Sequence, residues 1–373
     1  MLEKIGRHLA KRVGLRYSGS NSILSRFVPM SNSIPTSSPF RVGLVGAGGI
    51  ATTHYKGYLA AHALVMGFAE PFESTRILRE KEWSVKGYSS LDEMLENAQL
   101  EAVSVCTPNA FHFESTLKAA KAGKHILCEK PLSMSLEECA EMIRVCAEAG
   151  VVLQTNHHLR SNLLVQKAKE LIVSGAIGEV SFVRLRQAHD WGGSKSVRPS
   201  FGLLANSGGG TLLDNGCHMM DLARYFCGEV GSLYARTGRL RPDIEVEDVG
   251  VVSLEFKNGA IGSVEASWNA TGWEEGFWIY GTDGALECTN RLGQRTLRHV
   301  HRSSGGGWAD VDVTLHNLFD EGGHPLAVQN FIKSVREGAP VVCTGQDGLE
   351  SVRLVLAAYE SARENKPLEI KTA

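Results

Sequence analysis

Little in these 373 residues points to a membrane, a nucleic acid or a disulfide scaffold. No apolar run reaches the roughly 20 residues that a bilayer crossing needs. Charges nearly cancel, with 39 Lys and Arg against 41 Asp and Glu and a formal net charge of −2. A surface built to hold phosphate backbones carries a basic excess, so this balance argues against nucleic acid as the main partner. Eight cysteines, at 106, 128, 139, 146, 217, 227, 288 and 343, follow no disulfide-framework or metal-knuckle spacing. Reduced thiols in a reducing compartment are therefore expected, and the cytoplasm is the expected location. Paired C-x-x-C and H-E-x-x-H are missing too, and no metal centre is expected.

What is present begins with an unusual lead. The first 39 residues hold Lys4, Arg7, Lys11, Arg12, Arg16 and Arg26, only one acid (Glu3), and many serines. Such a basic, acid-poor segment is compatible with an organellar transit peptide, a disordered extension, or a chain that starts at Met30. It lacks the apolar core of a secretory signal and has no twin arginine. From residue 40 the composition is that of a globular chain long enough for two domains.

The pattern then alternates. Phe40 to Val45 reads as a short buried strand, followed by Gly46-Ala47-Gly48-Gly49-Ile50-Ala51 and a helix through His54 and Tyr58. This is G-x-G-x-x-A: Gly46 makes a tight turn, Gly48 admits a pyrophosphate to the backbone, and Ala51 allows close helix packing. Gly49 and Ile50 open the helix, whose free N–H groups suit an anion. A second strand, Ala63 to Ala69, ends in Glu70, 24 residues after Gly46. A carboxylate there accepts the adenosine ribose hydroxyls and repels a 2′-phosphate, which favours NAD over NADP. Leu91 to Asn97 reads as a helix, Ala102 to Cys106 as a strand, and His112 to Ala122 as a helix. The strand ending at Cys128, the helix Leu136 to Ala149 and the run Val151 to Gln154 complete the alternation. Such alternation predicts a doubly wound parallel sheet, with ligands beyond the carboxyl ends of its strands. Thr107, Pro108, Asn109, Glu129 and Lys130 all fall at such ends.

Downstream, Asp214 and His218 lie four residues apart on a helix-like segment. That spacing puts a carboxylate and an imidazole on one helix face, where the acid can orient the base. Oxidising a secondary alcohol needs a base for the hydroxyl proton and a donor for the charge left on oxygen. His218 is expected as the base, Lys130 as the electrostatic partner, and Asp214 as the orienter of His218.

Gly46-x-Gly48-x-x-Ala51, Thr107-Pro108-Asn109, Glu129-Lys130-Pro131 and Asp214-x-x-x-His218 occur in the order seen in the glucose-fructose oxidoreductase/inositol dehydrogenase (Gfo/Idh/MocA) family, which the chain resembles from about residue 40 onward. The resemblance implies an α/β protein: an N-terminal Rossmann domain, then an α/β domain with a large, open, mostly antiparallel sheet. It implies NAD(P)-dependent oxidation or reduction of sugars, cyclitols and related polyols. Asn109 and Glu129 match residues bordering the nicotinamide ribose, and His112 joins this cofactor set. His158, Arg160, His189, Asp190 and Asn215 fall where the resemblance places the substrate cleft. The family often has two adjacent arginines where this chain has Leu159-Arg160. Trp191 suits the face of a sugar, and His324 is a further candidate for the cleft.

The domains are expected at 1–39 (extension), 40–155 (Rossmann) and 156–373 (substrate and oligomerisation), with two closing helices, Leu326 to Glu337 and Gly345 to Asn365, packing back on the first. Lys257-Asn258-Gly259 between apolar-alternating runs predicts a hairpin. The family's open sheet face commonly forms an interface, so a homodimer or homotetramer is expected. Two other readings keep the fold: tightly held NAD as an internal redox catalyst for glycoside cleavage or epimerisation, and a cofactor-sensing regulator with no catalysis.

Overall fold

Short apolar runs between glycine turns build a parallel sheet in the computed structural model, which describes residues 38–190, 199–270, 272–291, 294–303, 310–316 and 323–371. The expectations for the N-terminal extension and for Trp191 lie outside these residues. The first sheet comprises β1 (Arg41–Val45), β2 (Leu64–Ala69), β3 (Gly87–Tyr88), β4 (Ala102–Val105), β5 (His125–Glu129) and β6 (Leu153–Asn156). Its order is β3-β2-β1-β4-β5-β6, all parallel. The order reverses at β1, so the crevice beyond β1 and β4 is the topological switch point where doubly wound sheets take ligands. Helices α1 (Gly49–Ala60), α2 (Glu73–Trp83), α3 (Leu91–Asn97), α4 (His112–Lys121) and α5 (Leu136–Glu148) connect the strands. Ser90 and Ser135 cap α3 and α5 by accepting from the N–H groups of Glu93 and Glu138, the usual side-chain answer to unpaired first-turn donors.

After α6 (Leu163–Val173), the chain enters a second sheet. It contains β7 (Val180–His189), β8 (Val230–Gly238), β9 (Val249–Phe256), β10 (Ile261–Ser267), β11 (Trp273–Gly281), β12 (Gly284–Arg291), β13 (Gln294–His301), β14 (Asp310–His316) and β15 (Leu368–Glu369). The order is β14-β13-β12-β11-β7-β10-β9-β8-β15. Among the described residues only β7–β10 is parallel among its pairs. The expected hairpin joins β9 to β10, with Gly259 at φ +87° and the Asn258 side chain accepting from the Ala260 N–H at 3.1 Å.

One face of this sheet packs on α7 (Cys217–Cys227) and α9 (Gly345–Glu364), with Val183, Leu185, Val252, Leu254 and Val264 buried against Leu222, Phe226, Leu354 and Val355. The other face leaves Phe182, Val251, Ile261 and Tyr280 exposed. The closing helix α8 (His324–Glu337) packs on α1, where Val328 and Phe331 join the core around Val42, Leu44 and Tyr58. No helix is long and apolar enough to cross a membrane among the described residues. All eight cysteines are buried free thiols.

Candidate active site

On the first sheet's side most residues of the site stand at or just beyond the end of a strand. The turn after β1 holds Gly46 at φ +91°, and a Cβ there would meet the Cys106 carbonyl oxygen at 2.8 Å. A Cβ on Gly48 would meet nothing within 4 Å. Gly48 caps α1 with no side-chain bond, and no acid sits in the first turn. An open, uncapped helix start beside a bare glycine is a cradle that a phosphate group fits. Glu70, at the end of β2, accepts from the N–H groups of Ala47 and Phe72, both at 3.1 Å, which ties it to the glycine turn. Arg76, instead of facing outward as a free cation, donates to the Glu70 carbonyl at 2.7 Å.

A cavity of about 320 Å³ lies beyond the strand ends. Ile50, Thr107, Asn109, His112, Glu129 and Lys130 line it from the first sheet's side. His158, Gln187, Asp214, Asn215, His218, Trp273, Glu275 and Arg295 line it from the second, with His324 arriving on α8. Asn109 donates to the Ser207 carbonyl at 2.8 Å, and the His112 ring nitrogens lie 2.8 Å from the Pro131 carbonyl and 3.0 Å from that of Thr107. His112 therefore ties the Thr107 end of β4 to the loop after Lys130.

Asp214 and Asn215 occupy a π-helical turn, Leu212–Gly216, that precedes α7. Such turns are rare and cluster at functional sites. Its start is held by Glu247, whose carboxylate accepts from the N–H groups of Gly210 and Leu212 and from the Tyr359 hydroxyl. The turn changes the expected pairing. Asp214 does not orient His218: its Oδ1 accepts from Lys130 Nζ at 2.7 Å, and its Oδ2 accepts from Trp268 Nε1 at 3.2 Å. Lys130 also donates to the Asp214 carbonyl at 3.0 Å. His218 meets His157 instead, Nδ1 to Nδ1 at 3.4 Å, and His158 edge-on with ring centroids 4.8 Å apart.

The electrostatics sort these groups into charged and neutral sets. Burial works against the Lys130 ammonium, but the groups around it, Asp214 foremost, together outweigh burial and raise the pKa above lysine's ordinary value. Burial, then the charge on Lys130, holds His218 well below the usual histidine range. His158 is depressed likewise by burial and by His324, and burial brings His324 down to about 4. At neutral pH the cavity thus presents a charged lysine beside neutral imidazoles. Such a pair can take a proton from a hydroxyl and stabilise the oxygen left behind.

On the substrate side, Glu275 accepts from Gln187 at 2.6 Å and from Arg295 at 2.9 Å. His189 stands one contact behind the cavity lining: its Nε2 is 3.1 Å from Asn215 Oδ1, and its ring stacks on Trp273 with centroids 4.4 Å apart. Besides His189, two more expected substrate ligands do not line the cavity. Arg160 is buried and engaged by both oxygens of Asp221, at 2.8 and 2.7 Å, and by Asp347 at 3.1 Å. Asp190 is exposed and lies outside the lining. Sequence reasoning missed Gln187, Trp268, Trp273, Glu275 and Arg295, since nothing local distinguishes them from other strand residues.

Comparison with known proteins places this geometry. Residues 40–157 match the oxidoreductase family described as "NAD-binding Rossmann fold", and residues 165–287 match its C-terminal domain, "GFO/IDH/MocA C-terminal domain". A 1,5-anhydro-D-fructose reductase of Ensifer adhaerens is 30% identical over 345 residues, covering 89% of this chain and 99% of the relative. Myo-inositol 2-dehydrogenase of Thermotoga maritima is 29% identical over 339 residues, covering 89% and 98%. The solved structure of a levoglucosan dehydrogenase with NADH and levoglucosan superposes with a TM-score of 0.82 at 25% identity, covering 90% of this chain and all of that one.

Proposed function

The chain belongs to the Gfo/Idh/MocA oxidoreductase family, and on that premise we propose that it transfers a hydride between NAD and a secondary alcohol or ketone of a sugar, cyclitol or related polyol. The observation that carries this reading is the Lys130–Asp214 pair and neutral His218 lining one cavity with Thr107, Asn109 and Glu129. Gly46, Gly48, Gly49, Ile50, Glu70, Thr107, Pro108, Asn109, His112 and Glu129 would hold the cofactor, whose nicotinamide supplies the hydride acceptor or donor. Glu70 supports NAD over NADP, because an anion tied to the glycine turn repels a 2′-phosphate.

In the oxidative direction His218 takes the hydroxyl proton. Lys130 donates a hydrogen bond to the substrate oxygen and stabilises its growing charge. Asp214 keeps Lys130 charged and fixed, and Trp268 holds Asp214 in turn. His158, Gln187, Asn215, Glu275 and Arg295 present donors and acceptors for the remaining hydroxyls, and Trp273 offers an apolar face to a sugar ring. This donor and acceptor mixture, rather than an apolar pocket, supports a polyhydroxylated substrate.

The exposed apolar residues Phe182, Val251, Ile261 and Tyr280 on the open sheet face support a homo-oligomer. Eight free thiols support a reducing compartment such as the cytoplasm.

The test is a screen of purified protein with NAD and NADP in parallel against inositols, aldoses, anhydrosugars and sugar acids, following absorbance of the reduced cofactor. Signal with NAD that vanishes in Lys130→Ala is the expected result. Silence across the panel with NAD retained by the protein would transfer the reading to internal redox catalysis.

A further inference from the structure

Behind the cavity, a line of buried hydrogen bonds runs into the first sheet and ends on Glu129. His54 Nε2, on α1, lies 2.8 Å from Glu129 Oε1. His54 Nδ1 lies 3.2 Å from Ser104 Oγ on β4, and the Tyr58 hydroxyl lies 2.8 Å from the same Ser104 oxygen. His54 and Ser104 have no exposed surface, and neither does Tyr58. Nothing in the mechanism above uses them.

The proton positions follow from the ends of this line. Burial keeps the Tyr58 pKa far above its ordinary value, so Tyr58 holds its proton and donates. At the other end burial opposes the Glu129 charge, but the hydrogen bond from His54 together with the other groups around it, Lys130 among them, brings Glu129 down to about 2, so Glu129 only accepts. With His54 as its Nε2–H tautomer every group in the line is satisfied: Tyr58 donates to Ser104, Ser104 donates to His54 Nδ1, and His54 Nε2–H donates to Glu129. Each donor points the same way, so each bond polarises the next. Asn156 adds a second donor to Glu129 Oε1 at 2.6 Å, and its amide nitrogen lies 3.3 Å from His324 Nδ1. Glu129 Oε2 takes the Lys130 backbone N–H at 3.2 Å. The carboxylate is therefore held on both oxygens.

Its place gives this consequence. Glu129 lines the same cavity as Lys130 and His218. If Lys130 and His218 serve the reacting carbon, a nicotinamide ring bound for hydride transfer would stand within reach of the Glu129 charge. A fixed anion in a buried site favours a cationic ring over a neutral one. We propose that His54 is a positioning residue which, backed by Ser104 and Tyr58, fixes Glu129 as an oriented carboxylate and so biases the site toward NAD+ over NADH. The inference rests on the dinucleotide reading above.

Binding constants for NAD+ and NADH, measured separately by fluorescence titration of the full chain, test it without turnover. His54→Leu is expected to weaken NAD+ about tenfold while NADH changes by less than about threefold. His54→Gln, whose amide can still donate to Glu129, keeps the wild-type ratio. In a Glu129→Gln background His54→Leu adds nothing to the ratio, as a double-mutant cycle requires for coupled residues. Should His54→Leu fail to fold, Ser104→Ala removes one hydroxyl and shifts the ratio in the same direction. Equal loss of both ligands, or an unchanged effect without the Glu129 carboxylate, overturns the relay while leaving the dehydrogenase reading in place. A wild-type chain that binds neither ligand overturns both.

Discussion

Asp214 and Lys130 are bound twice over, carboxylate to ammonium at 2.7 Å and backbone carbonyl to ammonium at 3.0 Å, across 84 residues of sequence. The partner that sequence spacing assigned to Asp214 was His218, on the next helical turn. The π-helical turn over Leu212–Gly216 turns the carboxylate toward the end of β5 instead. The distinction matters for what removal of the carboxylate does.

Asp214→Asn keeps the shape and removes the charge. Lys130 then faces burial without its main support, so its pKa falls. The expected outcome is a loss of about a hundredfold in kcat together with an alkaline limb displaced to lower pH. If Asp214 acted on His218, the acid limb would move and the alkaline limb would stay; full pH–rate profiles separate the two.

The wild-type acid limb carries its own signature. A base works when unprotonated, and burial with Lys130 nearby depresses the His218 pKa well below 6.5. The unprotonated form therefore persists as pH falls through 6.5, and kcat/KM in the oxidative direction stays on its plateau there. An acid limb centred at or above 6.5 would contradict the assignment of His218 as base.

Cofactor choice is expected to hinge on Glu70. Glu70→Ser removes the anion from the glycine turn and keeps a hydroxyl to accept from it. The ratio of kcat/KM for NADP over NAD should rise about tenfold or more, since one repulsive charge is lost from the ribose end. An unchanged ratio would show that Glu70 serves the turn alone.

Arg160 is a fold residue by its contacts, and its partner is the place to show it. Asp221→Ala leaves a buried guanidinium without its two-point partner, although Asp347 remains at 3.1 Å. Loss of about 3 kcal/mol in a denaturant titration is expected, with KM for substrate unaltered in the fraction that folds. A variant as stable as wild type, with KM raised, would restore Arg160 to the substrate.

The exposed ring pair Phe182–Tyr280, with centroids 5.9 Å apart on neighbouring strands, marks the open sheet face. If this face joins copies of the chain, Tyr280→Lys should lower the molar mass in light scattering at micromolar concentration. A mass equal to one chain in the wild type would rule the interface out.

The first half was legible because its signals are local. Gly123 and Gly150 stop α4 and α5, apolar runs of four to six residues mark buried strands, and the observed bounds of β1, β4 and α3 fall within a residue or two of the reading. The second sheet was harder. β13 and β14 carry Arg295, Arg298, His299, Asp310 and Asp312 among their apolar residues, and strands so polar do not stand out from loops. The π-helical turn was invisible because its sequence keeps helical spacing and the extra residue is held by Glu247, more than thirty positions away. The His54–Glu129 bond spans 75 residues, and the Arg160–Asp221 pair 61. Motifs identified the chemistry, while the partners that tune it come from remote strands and leave no local trace.

Helix α9 has a consequence for how the chain is made. Leu349 and Val352 near its start belong to the core of the first sheet, while Leu354, Val355 and Ala358 belong to that of the second. The helix before it, α8, carries His324 to the cavity and Phe331 into the core behind β1. A ribosome releases these segments after nearly all the strands of both sheets. The nucleotide-binding half, although made earlier, therefore waits for α8 and α9 before its core closes, and a nascent chain stalled short of them would present that unfinished surface to chaperones.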